Sequence, residues 1–103
     1  MVKKTSFGSL EVLVKHRGKT VVELATFNRS GKSHTHEDWE ICHVTDGRGV
    51  IRVGEKSYNV SEGISVFIPP KTGHYMIPDP KTKEPLKIVL IYSSNRNSHY
   101  ARA

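Results

Sequence analysis

The sequence predicts an all-β fold, on three observations. No stretch keeps a long helical period, apolar and β-branched residues fall in short runs, and turn residues separate those runs at close spacing. Many short strands at such spacing favour a sandwich or barrel over a parallel sheet with crossover helices.

The elements follow in chain order. Leu10–Val14 is a β-rich run that ends in the basic turn around Arg17-Gly18. Thr20–Phe27 resumes the pattern and stops at Ser30-Gly31. Trp39–Val44 alternates up to Asp46-Gly47. Gly49–Val53 and Lys56–Val60 flank Gly54-Glu55, a two-residue hairpin signal. Ser65–Ile68 follows Glu62-Gly63 and ends at Pro69-Pro70. His74–Ile77 runs to Pro78-Asp79-Pro80, and Leu86–Tyr92 is the last and most continuous apolar run. The polar tail, residues 93–103, is expected to be only partly ordered, with Tyr100 as its one anchor.

A chain of 103 residues suffices for one domain, spanning 1–103, and not for two. The apolar fraction, 36%, is low for a compact domain, so dimerisation is expected to add to a modest core. The formal charge is +6, but the cations are dispersed along turns, which points to a solvated surface and away from a nucleic-acid face. One cysteine, Cys42, forbids an internal disulfide. No secretory signal or run of about 20 apolar residues is legible, so the expectation is a cytoplasmic protein without a membrane partner.

Chemistry concentrates in Gly31-Lys-Ser-His-Thr-His-Glu-Asp-Trp-Glu40 and Gly63-Ile-Ser-Val-Phe-Ile-Pro-Pro-Lys-Thr-Gly-His74. Residues two apart on extended chain share a face, so His34 and His36 project together. A turn at Glu37-Asp38 returns Glu40 to that face. On the next strand Glu40, Cys42 and Val44 share one side; after the prolines, His74 and Met76 share another. A folded-over sheet brings these faces together, with His34, His36, Glu40 and His74 around one divalent ion. Cys42, Val44, Phe67, Met76 and Tyr92 are the expected pocket wall. Imidazole suits Fe, Ni, Zn and Cu, and a carboxylate adds affinity for Mn. Such an ion keeps a positive charge beside one carboxylate and favours anionic or oxygen-bearing small molecules. His43 alternates away from Glu40 and is expected to pack outside, as is Tyr75. Trp39 is a candidate for a dimer interface. No Ser-His-Asp arrangement or phosphate-cradling glycine loop is present, and no general base is evident.

These residues resemble a known family. His34-Thr-His36, three residues, Glu40, six residues and Gly47 is similar to the first motif of the cupin superfamily. Gly63, five residues, Pro69 and then Gly73-His74 is similar to the second. The fifteen-residue spacer Arg48–Glu62 looks like that of small microbial cupins. Gly31 stands closer to His34 than in the usual motif, and Pro78 lies where the second motif often has Asn. The resemblance implies a jelly-roll barrel of the double-stranded β-helix type, commonly a homodimer, with metal held by His34, His36, Glu40 and His74. Asp38-Trp-Glu-Ile, Gly47-Arg-Gly and Tyr58-Asn-Val are also similar to the sugar-sensing domains of arabinose-type transcription regulators. Two functions are therefore expected. One is a metal-dependent cupin that coordinates a small molecule, with dioxygenase, isomerase or lyase turnover open. The other is a non-catalytic binding or sensor module for a sugar-like ligand, without a DNA-reading region. Fold alone does not choose between them.

Overall fold

Turn chemistry sets the strand order. In the computed structural model, which describes residues 2–93, Gly8–His16 (β2) pairs antiparallel with Lys19–Phe27 (β3), and the pair His16↔Lys19 closes the hairpin. Arg17 and Gly18 between them take φ 54° and 79°. Two positive φ values in a two-residue loop are the type I′ turn that matches strand twist. A short strand, Val2–Lys4 (β1), lies on the outer edge of β2. Val-Lys-Lys has no alternation to announce a strand; its pairing with Ser9–Glu11 creates one, and its two lysines blunt the edge.

The remaining strands are Glu40–Asp46 (β4), Arg48–Val53 (β5), Lys56–Ser61 (β6), Ser65–Ile68 (β7), His74–Pro78 (β8) and Leu86–Tyr92 (β9). Every predicted run forms a strand, with ends shifted by a few residues; Trp39, expected inside β4, precedes it. The strands make a six-stranded sheet in the order β1-β2-β3-β9-β4-β7 and a three-stranded sheet in the order β6-β5-β8. All neighbours are antiparallel, and no helix occurs among the described residues.

The core lies between the sheets. Ala25, Phe27, Cys42, Val44, Ile51, Val60, Ile68, Met76, Leu86, Ile88 and Leu90 are buried there. Each comes from one parity of its strand, as a sheet with one inward face requires. Val12, Leu13 and Val14 are exposed, where the β2–β3 register shifts. Gly47, at φ 81°, turns β4 into β5; a Cβ there would stand 2.4 Å from the Pro85 carbonyl oxygen. Only glycine fits both the dihedral and the space.

The expected barrel is corrected in one respect. Among the described residues no hydrogen-bonded ring closes; the molecule is a jelly roll of two facing sheets. The reason lies in residues 28–39, which run beside β8 but pair with it only at isolated points. Gly31 N donates to Met76 O at 3.0 Å, and His34 and His74 exchange backbone hydrogen bonds at 3.2 and 3.1 Å. Such sparse pairing holds a loop in position without completing a ladder.

Candidate metal centre

Residues 28–39 and β8 position the histidines. The paired backbones of His34 and His74 put their rings 4.3 Å apart, and His36 sits 4.9 Å from His74. The Pro69-Pro70 turn fixes the other side. Lys71 there takes φ 57°, and its N–H donates to His36 O at 2.8 Å. One ligand atom from each of the three histidines falls within 4.8 Å of the other two.

The backbone also sets each ring's orientation. His34 Nδ1 donates to Lys32 O at 3.1 Å, His36 Nδ1 to Asp38 O at 3.0 Å and His74 Nδ1 to Thr72 O at 2.8 Å. A carbonyl oxygen only accepts, so each Nδ1 carries a proton and each Nε2 is the ring nitrogen left over for other partners. A hydrogen bond on the remote nitrogen is the usual support of a metal-bound imidazole.

Glu40 enters from the start of β4, 1% exposed. Its Oε1 lies 2.9 Å from His36 Nε2 and 3.4 Å from His74 Nε2, and the Cys42 thiol donates to Oε2 at 3.2 Å. Burial alone would raise the Glu40 pKa, but the His74 imidazole beside it and hydrogen bonds from Cys42 and His36 hold it below the usual carboxylate range. Burial likewise works to lower His74, yet Glu40 and the Thr72 carbonyl raise it above an ordinary imidazole. The Cys42 thiol is pushed up by burial and by the Glu40 charge, so it stays protonated in the core beneath Glu40.

These groups fit a metal ion on an observation of their own. His74 Nε2 is buried without an aligned hydrogen-bond partner. Two imidazole nitrogens whose remote partners are already protonated face one acceptor-only carboxylate. That set is satisfied by positive charge among the atoms, either as ring protons or as one cation.

Beside the histidines a cavity of about 350 Å³ opens between β3, β9 and the loop. Phe7, Leu10, Ala25, Phe27, Met76 and Leu90 give it apolar walls; His34, Glu40, Glu23, Tyr92 and Lys32 give it polar groups. Of the expected wall, Met76 and Tyr92 line it. Cys42 and Val44, both 0% exposed, pack into the core beneath. Phe67 does not belong to the wall: it is 56% exposed on the outer face, where its ring lies 6.1 Å from Trp39. It pairs with Ile41, and both fall on the parity opposite Glu40 and Ile68. His43 also lies outside, with Nδ1 2.8 Å from Ser65 Oγ. Tyr75, expected outside, contributes to the cavity lining.

Glu23 was not legible as a cavity residue. On β3 the row Val22, Leu24, Thr26 looks at least as apolar as Glu23, Ala25, Phe27, so periodicity cannot choose the inward face. The buried pair Ala25 and Phe27 settles it, and Glu23 follows them inward.

The model of the family described as Cupin domain matches residues 20–92. No curated protein matches the chain. Solved structures do. An RmlC-like cupin from Shewanella frigidimarina superposes with a TM-score of 0.76 at 16% identity, over 96% of this chain and 87% of its own. A cupin-2 domain protein from Rhodospirillum rubrum gives 0.73 at 19% identity, over 84% of this chain and 59% of its own. A predicted oxalate decarboxylase from Thermotoga maritima gives 0.71 at 15% identity, over 82% and 77%. At these identities the likeness is one of fold. The family match spans both histidine segments and seven of the nine strands, and the chain belongs to the cupin family.

Proposed function

We propose that this protein binds one divalent transition metal (Fe, Mn, Ni, Zn or Cu) through His34, His36, Glu40 and His74. With the adjoining cavity, the ion would take an oxygen-bearing or anionic small molecule. The observation that carries this reading is the gathering of His34, His36 and His74, one ring nitrogen of each within 4.8 Å of the others, with the buried Glu40 carboxylate beside His36 and His74 and with His74 Nε2 lacking an aligned hydrogen-bond partner. When bound, the ion supplies a Lewis acid with coordination positions for ligand oxygens.

The chain's own residues do the rest. The Lys32, Asp38 and Thr72 carbonyls aim the imidazoles. Cys42 steadies Glu40. Phe7, Phe27, Met76 and Leu90 exclude water from the cavity and give an apolar ligand body a surface to pack on. A predicted oxalate decarboxylase shares the fold, and turnover of a small acid is in keeping with such a site. With it goes a homodimer, supported by Phe67 and Ile64 exposed on the outer face. No helix among the described residues is long and apolar enough to cross a membrane.

Elemental analysis of protein purified without chelator tests the site. About one ion per chain, lost with chelator and regained on adding metal, is expected. Content far below that, unrestored by any of the five metals, overturns the reading. Product formed only in the presence of metal separates turnover from non-catalytic binding.

A further inference from the structure

The cavity holds a second carboxylate with no assigned task. Glu23 lies on the inward row of β3, half-buried among apolar walls. The Tyr92 hydroxyl donates to its Oε1 at 2.6 Å. Among the described residues no cation pairs with it, and Oε2 receives no hydrogen bond. Tyr92 joins this carboxylate to the histidine cluster, because its ring lies 5.7 Å from His36 and its backbone pairs with Glu40.

Water reaches the free oxygen of this half-buried carboxylate, so a ligand that fills the cavity and displaces that water must supply a donor in its place. We infer that Glu23, held by Tyr92, is the recognition point for a hydrogen-bond donor on the ligand, so that the cavity selects a carboxylic acid carrying a hydroxyl or amino group along its chain. This rests on the metal reading above. The metal end keeps a positive charge and takes the ligand's carboxylate, whereas the Glu23 end is negative and takes an O–H or N–H. The apolar walls between them suit a hydrocarbon body.

Calorimetric titration of metal-loaded protein with 3-phenylpropanoate and with its 3-hydroxy and 3-amino derivatives tests this. A donor-bearing acid is expected to bind about tenfold tighter than the plain acid or better, the range of a hydrogen bond to a charged group. The tighter of the two derivatives identifies the donor. Glu23→Ala is expected to reduce that preference to within about twofold while metal content stays near one per chain. Tyr92→Phe, which leaves Glu23 in place, is expected to keep the preference for a donor over the plain acid. Wild-type protein that holds metal yet binds all three acids equally, or binds none, overturns the proposal. So does a preference that survives in Glu23→Ala. Absence of metal in the wild type is read separately by elemental analysis and points to failure of the metal reading itself.

Discussion

The two ends of the sandwich are built from the same strands and differ in what they bury. Around the C-terminal half of β4, with β5, β6, β7 and β9, the interior is Val44, Val60, Val66 and Ile88, buried and apolar. At the other end, where β4 begins and β9 finishes, the inward rows turn to Glu40 and Tyr92, which face each other in register. There β3 contributes Glu23, and the covering layer is the loop of residues 28–39 in place of a strand. The filled end is ladder on both edges of β4, with one register shift between Val44 and Asp46. The open end is held by single hydrogen bonds, each placed to aim a side chain. The difference teaches where stability and chemistry reside in this chain: the first in continuous pairing and packing, the second in the place where pairing is interrupted.

That division can be broken by mutation, and the largest effect is expected at the open end. His74→Ala should lower metal affinity by more than the roughly 10–100-fold lost when only a supporting hydrogen bond is removed. Metal titration with a competing chelator measures it. Ile88→Ala, 0% exposed in the core, should cost about 2–5 kcal/mol of unfolding free energy in urea melts. If it also abolished metal binding in the folded state, the two ends would not be separable. Gly47→Ala forces a Cβ onto the Pro85 carbonyl at positive φ, and about 1–3 kcal/mol of destabilisation is expected.

Acid offers a reversible test at the open end. Protons compete with metal for the Nε2 atoms, so apparent affinity should fall as pH falls. His74 is raised above its ordinary 6.5, so the fall should begin above that value. In chelated protein the signs differ for the two partners. Glu40, depressed from 4.5, contributes stability above that value and loses it as pH falls through its lowered pKa. His74 contributes below 6.5 and loses it as pH rises through its raised pKa. The stabilisation conferred by the pair, measured against Glu40→Gln, should therefore be greatest between these values. Phe67→Ser, on the outer face, should alter monomer stability by no more than about 0.5 kcal/mol and leave metal content unchanged.

Much of this was legible in the sequence, for identifiable reasons. Strands bounded by glycine and proline announce themselves, as Lys56–Ser61 and Ser65–Ile68 did. His34 and His36 at a spacing of two share a face on any extended backbone, so their association needs no knowledge of the fold. The parity of β4 likewise separated Glu40 from His43. Three features were hidden because they depend on what lies opposite. β1 exists only through its pairing with β2. Phe67 looked like core by its chemistry, yet its position opposite Ile41 puts it outside. Glu23 lay on the less apolar of two rows, and only packing against β9 turns it inward.

The carbonyls that orient the three imidazoles carry one more implication. Each belongs to a residue two positions away along the chain, and each is main chain. Ring orientation is thus written into local backbone shape and not into the identity of neighbouring side chains. Lys32 and Thr72 can be exchanged for many other residues without disturbing where the nitrogens point, so the surface around this centre is free to diverge while the centre stays constant.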